Sequence, residues 1–174
     1  MRSAKYFGVV LAVLALAGCG YRLRGTGNLR DVLPAHVKKI AIPVFKNQTT
    51  RFELDKNLTN AVIDEFVVRG KVEITTAAAA DAVLTGEILV FNPSPVAFSP
   101  GKGTADRYMV TVVTKIELKD SKSQAVIYAN PSFSYTEEYA VPQGQDFDSV
   151  QTEAIKKIAV KFARQLVLTI HEGF

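Results

Sequence analysis

Apolar residues recur at helical spacing in two stretches of the chain. In residues 51–69 they stand three or four positions apart, a pattern that predicts a helix with one buried side. In residues 150–170 an apolar residue returns every fourth position, and basic residues occupy the opposite side. The chain is therefore expected to contain two amphipathic helices, one in its first half and one near its end.

The ends of both helices carry recognisable capping residues. Thr50 and Glu53 have the spacing of a capping box, in which each side chain bonds a backbone N–H of the first turn. Gly70 follows the first helix and is able to adopt the left-handed conformation that ends many helices. Asp146 or Asp148 is suited to cap the last helix.

Apolar and polar residues alternate through residues 107–118, with Tyr108, Val110 and Val112 on one side. This pattern predicts a strand with one face on the core and one face toward polar surroundings. Further strands are predicted over residues 38–45, 71–75, 81–91 and 125–139, with an interruption of the last at Pro131. Residues 92–106 hold three prolines and two glycines and are predicted to form a loop.

The order strand, helix, several strands, helix predicts an α+β fold. Hairpin-type connections join the later strands, whereas the first helix links two strands that can lie parallel, so the sheet is expected to be mixed. We predict a two-layer sandwich, with two amphipathic helices packed on one face of a mixed four- to five-stranded sheet. A single domain over residues 34–174 accommodates these elements.

The first eighteen residues have the features of a secretory signal peptide. Arg2 and Lys5 are followed by an uncharged run over residues 6–17, which is shorter than the roughly 20 residues of a spanning helix. The run ends in Leu-Ala-Gly-Cys, which resembles the bacterial lipobox, so Cys19 is expected to be lipidated after cleavage of residues 1–18. Residues 19–33 would then be a tether, and Gly20, in place of an aspartate, favours the outer membrane.

Composition narrows the possible chemistry. The chain of 174 residues has one cysteine and two histidines, which excludes an internal disulfide and a thiolate zinc cluster and leaves little for a catalytic triad. Loss of the signal peptide lowers the formal net charge from +4 to +2, so the basic balance is no argument for nucleic-acid binding. We therefore expect a protein that is not an enzyme and holds no metal or cofactor.

Three segments together resemble the LptE family of lipopolysaccharide-assembly lipoproteins. They read CGYRLRG from Cys19, IAIPVFKNQT from Ile40 and DAVLTGEI from Asp81. The resemblance covers nearly the whole mature chain and implies two helices on a four-stranded sheet. It also implies an outer-membrane lipoprotein facing the periplasm, which plugs and supports the LptD-type β-barrel and binds lipopolysaccharide.

The same resemblance implies that loops at one end of the sheet contact the phosphates of the glycolipid. Residues 92–106 correspond to such a loop, in which Phe98, Lys102 and Arg107 are the matching kinds of residue. Residues 141–145 lack the basic residue expected in a second loop of the family.

A second class of function is also compatible with the sequence. A lipid-anchored periplasmic protein that binds a soluble ligand, or a pilot-type adaptor that escorts another complex, would show the same signal peptide and a similar domain. Co-purification with a β-barrel separates these alternatives from the plug.

Overall fold

A computed structural model of the protein describes residues 33–70, 72–98, 105–142 and 145–172. These residues belong to one compact unit, Asp31–Phe174. The expected signal peptide and tether, Cys19 and Lys102 lie outside the described residues. The elements are β1 (Lys39–Ala41), β2 (Lys46–Asn47), α1 (Leu54–Arg69), β3 (Glu73–Ile74), β4 (Ala82–Phe98), β5 (Ala105–Asp120), β6 (Val126–Ala140) and α2 (Phe147–Glu172).

The strands form one mixed sheet in the order β3-β1-β4-β5-β6, with β2 paired to β4. β1 runs parallel to both β3 and β4, whereas β4, β5 and β6 form an antiparallel meander. The sheet has six strands, one more than predicted at most, because the strand predicted over residues 38–45 is limited to β1 and a second short strand, β2, follows it. Pro43 lies between the two and has no backbone N–H to give to a ladder.

The predicted alternation in β5 is confirmed. Val110, Val112, Ile116 and Leu118 are buried on the helix side of the sheet, together with Thr114. The irregularity predicted at Pro131 is also present, since the β5–β6 register shifts between the pairs Thr114↔Phe133 and Ile116↔Asn130. The helix side of the central strands is thus the floor of the core.

β4 is longer than predicted, and the loop predicted over residues 92–106 is wrong at residues 92–98 and 105–106. The strand continues to Phe98, and β5 begins at Ala105. Pro93 and Pro95 lie opposite Val110 and Tyr108 of β5. β2 pairs with β4 only at Glu87 and Ile88, so the prolines lie where β4 has β5 as its sole neighbour in the described sheet. Prolines are tolerated in such an edge position.

The predicted caps of α1 differ from the observed ones. Glu53 at the N-cap has φ 55°, a left-handed conformation, and makes no side-chain capping bond, so the capping box is wrong. Gly70 is right-handed, with φ −72°, which corrects the predicted C-terminal conformation. Glycine is required there by space, because a Cβ would lie 2.6 Å from the carbonyl oxygen of Phe66. α2 is capped by Asp146, whose Oδ1 accepts the Ser149 N–H at 2.8 Å.

Both helices contribute to a single core on the sheet, which confirms the predicted α+β sandwich. Phe66 of α1 and Phe162 of α2 are fully buried. The Phe162 ring meets Phe133 and Tyr135 edge-on, at centroid distances of 5.6 and 6.3 Å. Edge-to-face contacts of this kind stabilise aromatic cores beyond the area they bury.

Candidate functional site

The outer ends of β4 and β5 bring two of the predicted site residues together. Ala97 pairs with Arg107, and the next pair is Phe98↔Ala105. Phe98 is 61% exposed although it belongs to a strand, so it presents an aromatic surface to its surroundings. Lys102 belongs to residues 99–104, which connect the two strands and lie outside the described residues. Phe98 and Arg107 therefore occupy one end of a long hairpin, which we call the hairpin arm (residues 92–98 and 105–110).

Arg107 has a carboxylate partner that the sequence did not indicate. Its Nη1 lies 3.3 Å from Oε1 of Glu138 on β6, and both side chains are about half exposed. Exposed ion pairs of this kind contribute only about 0–1 kcal/mol. The pair therefore holds the guanidinium in place at low cost, and a phosphate group could replace Glu138 as its partner.

The hairpin arm is fixed to the domain by an aromatic cluster at the start of α2. The ring of Phe147 lies 5.2 Å from Tyr108, 6.2 Å from Tyr139 and 6.4 Å from Phe91, measured between centroids. Phe147 was missed by the periodicity, which placed the first apolar residue of the helix at Val150. Its position directly after the capping Asp146 was the available signal.

The sheet face opposite the helices carries no described helix. Because side chains alternate along a strand, the residues between the buried ones of β5 project there. Across the sheet they form rows with the neighbouring strands, such as Asn92–Thr111–Thr136. Thr111 Oγ1 and Thr136 Oγ1 are 3.3 Å apart. We call this surface, which carries hydroxyl, amide and apolar side chains together with ion pairs such as Arg107–Glu138, the open face.

At the opposite end of the sheet from the hairpin arm, two aspartates fasten the segment that leads into β1. Asp81 Oδ2 accepts the backbone N–H groups of Lys38 and Lys39 at 3.0 and 2.9 Å, which lowers the pKa of Asp81. Asp120 is buried and bonds the ring of His36. The backbone N–H of Ser123, followed by His36, holds the pKa of Asp120 well below its ordinary value.

The adjacent carboxylates Glu137 and Glu138 of β6 each have a basic partner. Glu137 bonds Lys161 and the hydroxyl of Tyr135, and Lys161 is the larger cause of its lowered pKa. Burial, with Glu137 as the second cause, raises the pKa of Tyr135. Glu138 binds Arg107 on the open face, so the two adjacent carboxylates point to opposite sides of the sheet, as alternation along a strand requires.

No cluster of three or more histidine, cysteine or acidic side chains suited to a metal ion occurs in the ranges that the structure describes. Within those same ranges, neither helix combines the length and apolar character needed to cross a bilayer.

Comparisons with known proteins identify the family. The profile of the family described as LptE: Lipopolysaccharide-assembly matches residues 37–170. No curated protein matches the chain. Among solved structures, the hypothetical protein CT253 from Chlamydia trachomatis is 10% identical with a TM-score of 0.54, covering 78% of this chain and 96% of that one.

A second solved structure is that of the rare lipoprotein B from Shewanella oneidensis. It is 15% identical with a TM-score of 0.49, over 76% of this chain and 92% of that one. At such identities the likeness to CT253 shows the fold alone, and the family rests on the profile match. Because that match spans β1 to α2, the chain belongs to the LptE family of lipopolysaccharide-assembly proteins.

Proposed function

We propose that the protein is an outer-membrane lipoprotein, facing the periplasm, that plugs and supports an LptD-type β-barrel during lipopolysaccharide assembly. The observation that carries this proposal is the family match over residues 37–170. The role is non-catalytic, and the protein acts by occupying a space and offering surfaces.

The open face supports a place inside a barrel. The interior of a wide outer-membrane barrel is polar, whereas its exterior is apolar. Rows such as Asn92–Thr111–Thr136 offer hydroxyl and amide groups that can bond polar side chains of such a wall. The apolar side of the same sheet is already covered by α1 and α2. Because the helices cover the apolar side of the sheet, the domain can enter a polar lumen without exposing its core.

Membrane attachment in this proposal depends on Cys19. Cleavage of residues 1–18 would free the amino group of Cys19, and residues 19–33 would link the lipid to the domain. Each buried CH₂ of a lipid chain contributes about 0.8 kcal/mol, so two or three chains hold the protein durably. The alternative role as a periplasmic adaptor would use the same anchor.

Lipopolysaccharide is the second proposed ligand. Phe98 offers an exposed ring for an acyl chain, while Lys102 and Arg107 offer cations for the phosphates of the glycolipid. Bonds between a guanidinium and a phosphate are charge-assisted and stronger than neutral ones. Arg107 would exchange Glu138 for the phosphate, so binding would leave Glu138 to solvent.

Affinity purification tests the partner. The tagged mature protein is recovered from detergent-solubilised outer membrane, and we expect the LptD-type barrel in equal amount with it. Cys19→Ala serves as a second arm, because it should abolish lipidation, seen by mass spectrometry, and release the folded domain from the membrane. Recovery of a different complex, or of no barrel, contradicts the plug and favours the adaptor.

A further inference from the structure

The outer edge of β6 is long and unpaired in the described sheet. Among the described strands only β5 pairs with β6, and from Phe133 to Ala140 that pairing is continuous over eight residues. This stretch contains no proline, and its outer backbone groups have no strand partner in the described sheet. The opposite edge of the sheet is β3, which has two residues. Long unprotected edges are templates for the addition of another strand, and proteins usually blunt them.

A groove runs beside this edge, between β6 and α2. Its floor is apolar and consists of Tyr139, Ile158 and Val160, and Val160 is 61% exposed although it is a large aliphatic residue. Lys157 lies over the Tyr139 ring, with Nζ 5.9 Å from the centroid. An added strand gains affinity from main-chain bonds, and pockets beside the edge accept its alternate side chains. The groove is placed to act as such a pocket.

The charged lining of the groove consists of Lys157, Lys161, Glu137 and Glu138, and each of these side chains has an oppositely charged partner. Lys161 is bonded to Glu137 and Lys157 lies 3.4 Å from Glu153, whereas Arg164 has no ion pair within the described ranges. A neighbouring depression, which shares Lys161 with the groove, is lined by Arg164 and Leu168. A carboxylate at the matching position of an incoming strand would give Arg164 a partner.

Two other occupants are disfavoured by charge. A second copy paired edge to edge through β6 would bring the same engaged glutamates, and therefore no free carboxylate for Arg164. The chain's own residues 19–32 carry three arginines against one aspartate, a net positive charge that Arg164 would repel. A partner with acidic residues is favoured over both.

We propose that the LptD-type barrel protein adds an extended segment to the β6 edge over residues 133–140. The segment places an apolar side chain in the groove at Val160 and a carboxylate at Arg164. This inference rests on the proposed function for the identity of the partner. The wall strands of a closed barrel already bond their backbone groups to each other. The segment therefore comes from a loop or another part of the partner outside the wall.

Residue-resolved amide exchange tests the added strand. The purified mature protein is compared with its detergent-solubilised complex with the barrel. In residues 133–140 every second amide already faces β5, so only the alternate, outward amides should exchange at least about tenfold more slowly in the complex. A partner that covered the edge without pairing would slow both sets.

Surface variants give an independent measurement with matched controls. Val160→Asp and Arg164→Glu should each lower recovery of the barrel at least about fivefold, because they alter the groove and the neighbouring depression. Val68→Asp on α1 and Lys156→Glu on α2 are exposed changes of the same chemistry outside the groove and should leave recovery unchanged. Melting temperatures within a few degrees of the parent show that all four variants fold.

The outcomes separate the two proposals. If the barrel co-purifies while the outward amides and the groove variants behave like the parent, the β6 edge is not the contact and the proposed function stands. If the barrel does not co-purify with the parent protein, the proposed function fails and the edge loses its partner. Slower exchange at every second amide of residues 133–140, together with loss of barrel recovery for Val160→Asp, supports the added strand.

Discussion

The side-chain hydroxyl of Thr59 on α1 accepts the backbone N–H of Phe45 at a distance of 2.9 Å. The same hydroxyl donates to the carbonyl of Asp55 at 2.6 Å, so its hydrogen-bonding capacity is used although Thr59 is buried. Phe45 lies in the segment between β1 and β2, where no strand ladder is available to its N–H. A helix side chain thus replaces the missing strand partner.

Replacing Thr59 with valine should destabilise the protein by about 1–3 kcal/mol, because it leaves the buried Phe45 N–H without an acceptor. Chemical denaturation of the parent and variant measures the difference. Thr59→Ser keeps the hydroxyl and should retain most of the stability. Equal losses for valine and serine would assign the effect to packing alone.

Gly86 on β4 should not tolerate alanine. A Cβ at this position would lie 2.6 Å from atoms of the Phe45 ring, which is itself buried. The ring has to move, and overpacking of this kind costs about 1–3 kcal/mol. Combining Gly86→Ala with Phe45→Leu should cost less than the sum of the single changes, since the smaller side chain relieves the clash. Strict additivity in thermal unfolding would argue against the close approach.

Phe162 is the centre of the contact between α2 and the sheet. Truncation to alanine should cost about 3–5 kcal/mol, since the ring is fully buried against Phe133 and Tyr135. Lys156→Ala, on the exposed side of the same helix, should change stability by less than about 0.5 kcal/mol. Similar denaturation midpoints for both variants would contradict the two-layer packing.

Acid should weaken the end of the sheet that Asp81 and Asp120 hold together. Both carboxyl groups have pKa values below the ordinary 3.8 in the folded state, so the unfolded state takes up protons first as the pH falls. The stability they contribute is complete above that ordinary value and is lost progressively below it. Unfolding measured from pH 6 to pH 2 should show a steeper decline for the parent than for Asp120→Asn. Parallel curves would remove Asp120 from this role.

Charge reversal at Lys102 and Arg107 should reduce lipopolysaccharide binding. Lys102→Glu with Arg107→Glu removes two cations, and charge-assisted bonds of about 1.5–3 kcal/mol each imply a loss of tenfold or more. The Arg107 side chain is about half exposed, so the melting temperature should fall by no more than a few degrees. Binding of purified lipopolysaccharide at fixed ionic strength is the measurement, with Lys156→Glu as the control. An unchanged affinity would place the glycolipid elsewhere.

Periodicity predicted the parts of the fold that depend on burial of one side of an element. Both helices and the alternating face of β5 follow from the sequence because the core repeats along them. The capping box failed because Asn47 organises the preceding loop, accepting the Thr49 N–H at 2.9 Å and donating to the Arg51 carbonyl at 2.8 Å. Such a local competition cannot be read from the spacing of Thr50 and Glu53 alone.

The structure of the hairpin arm depends on contacts between residues that are distant in the sequence. Its prolines indicated a loop, yet these residues pair with β5 as a strand, with register shifts between Pro95 and Phe98. Arg107 was identified from its place in the sequence, whereas its partner Glu138 is 31 residues away and becomes a neighbour only through the β5–β6 register. The unpaired edge of β6 was equally hidden, because strand order is a property of the assembled sheet.

The position of β1 has a consequence for the order of folding. β4, β5 and β6 follow one another along the chain, so they can assemble through short loop closures. β1 comes first in the chain but lies between β3 and β4, and the bond from His36 to Asp120 closes a separation of 84 residues. Closing so large a loop carries a higher entropic cost. We expect the meander to form early and β1 to dock last, so that the segment nearest the proposed lipid anchor is the final part of the domain to become ordered.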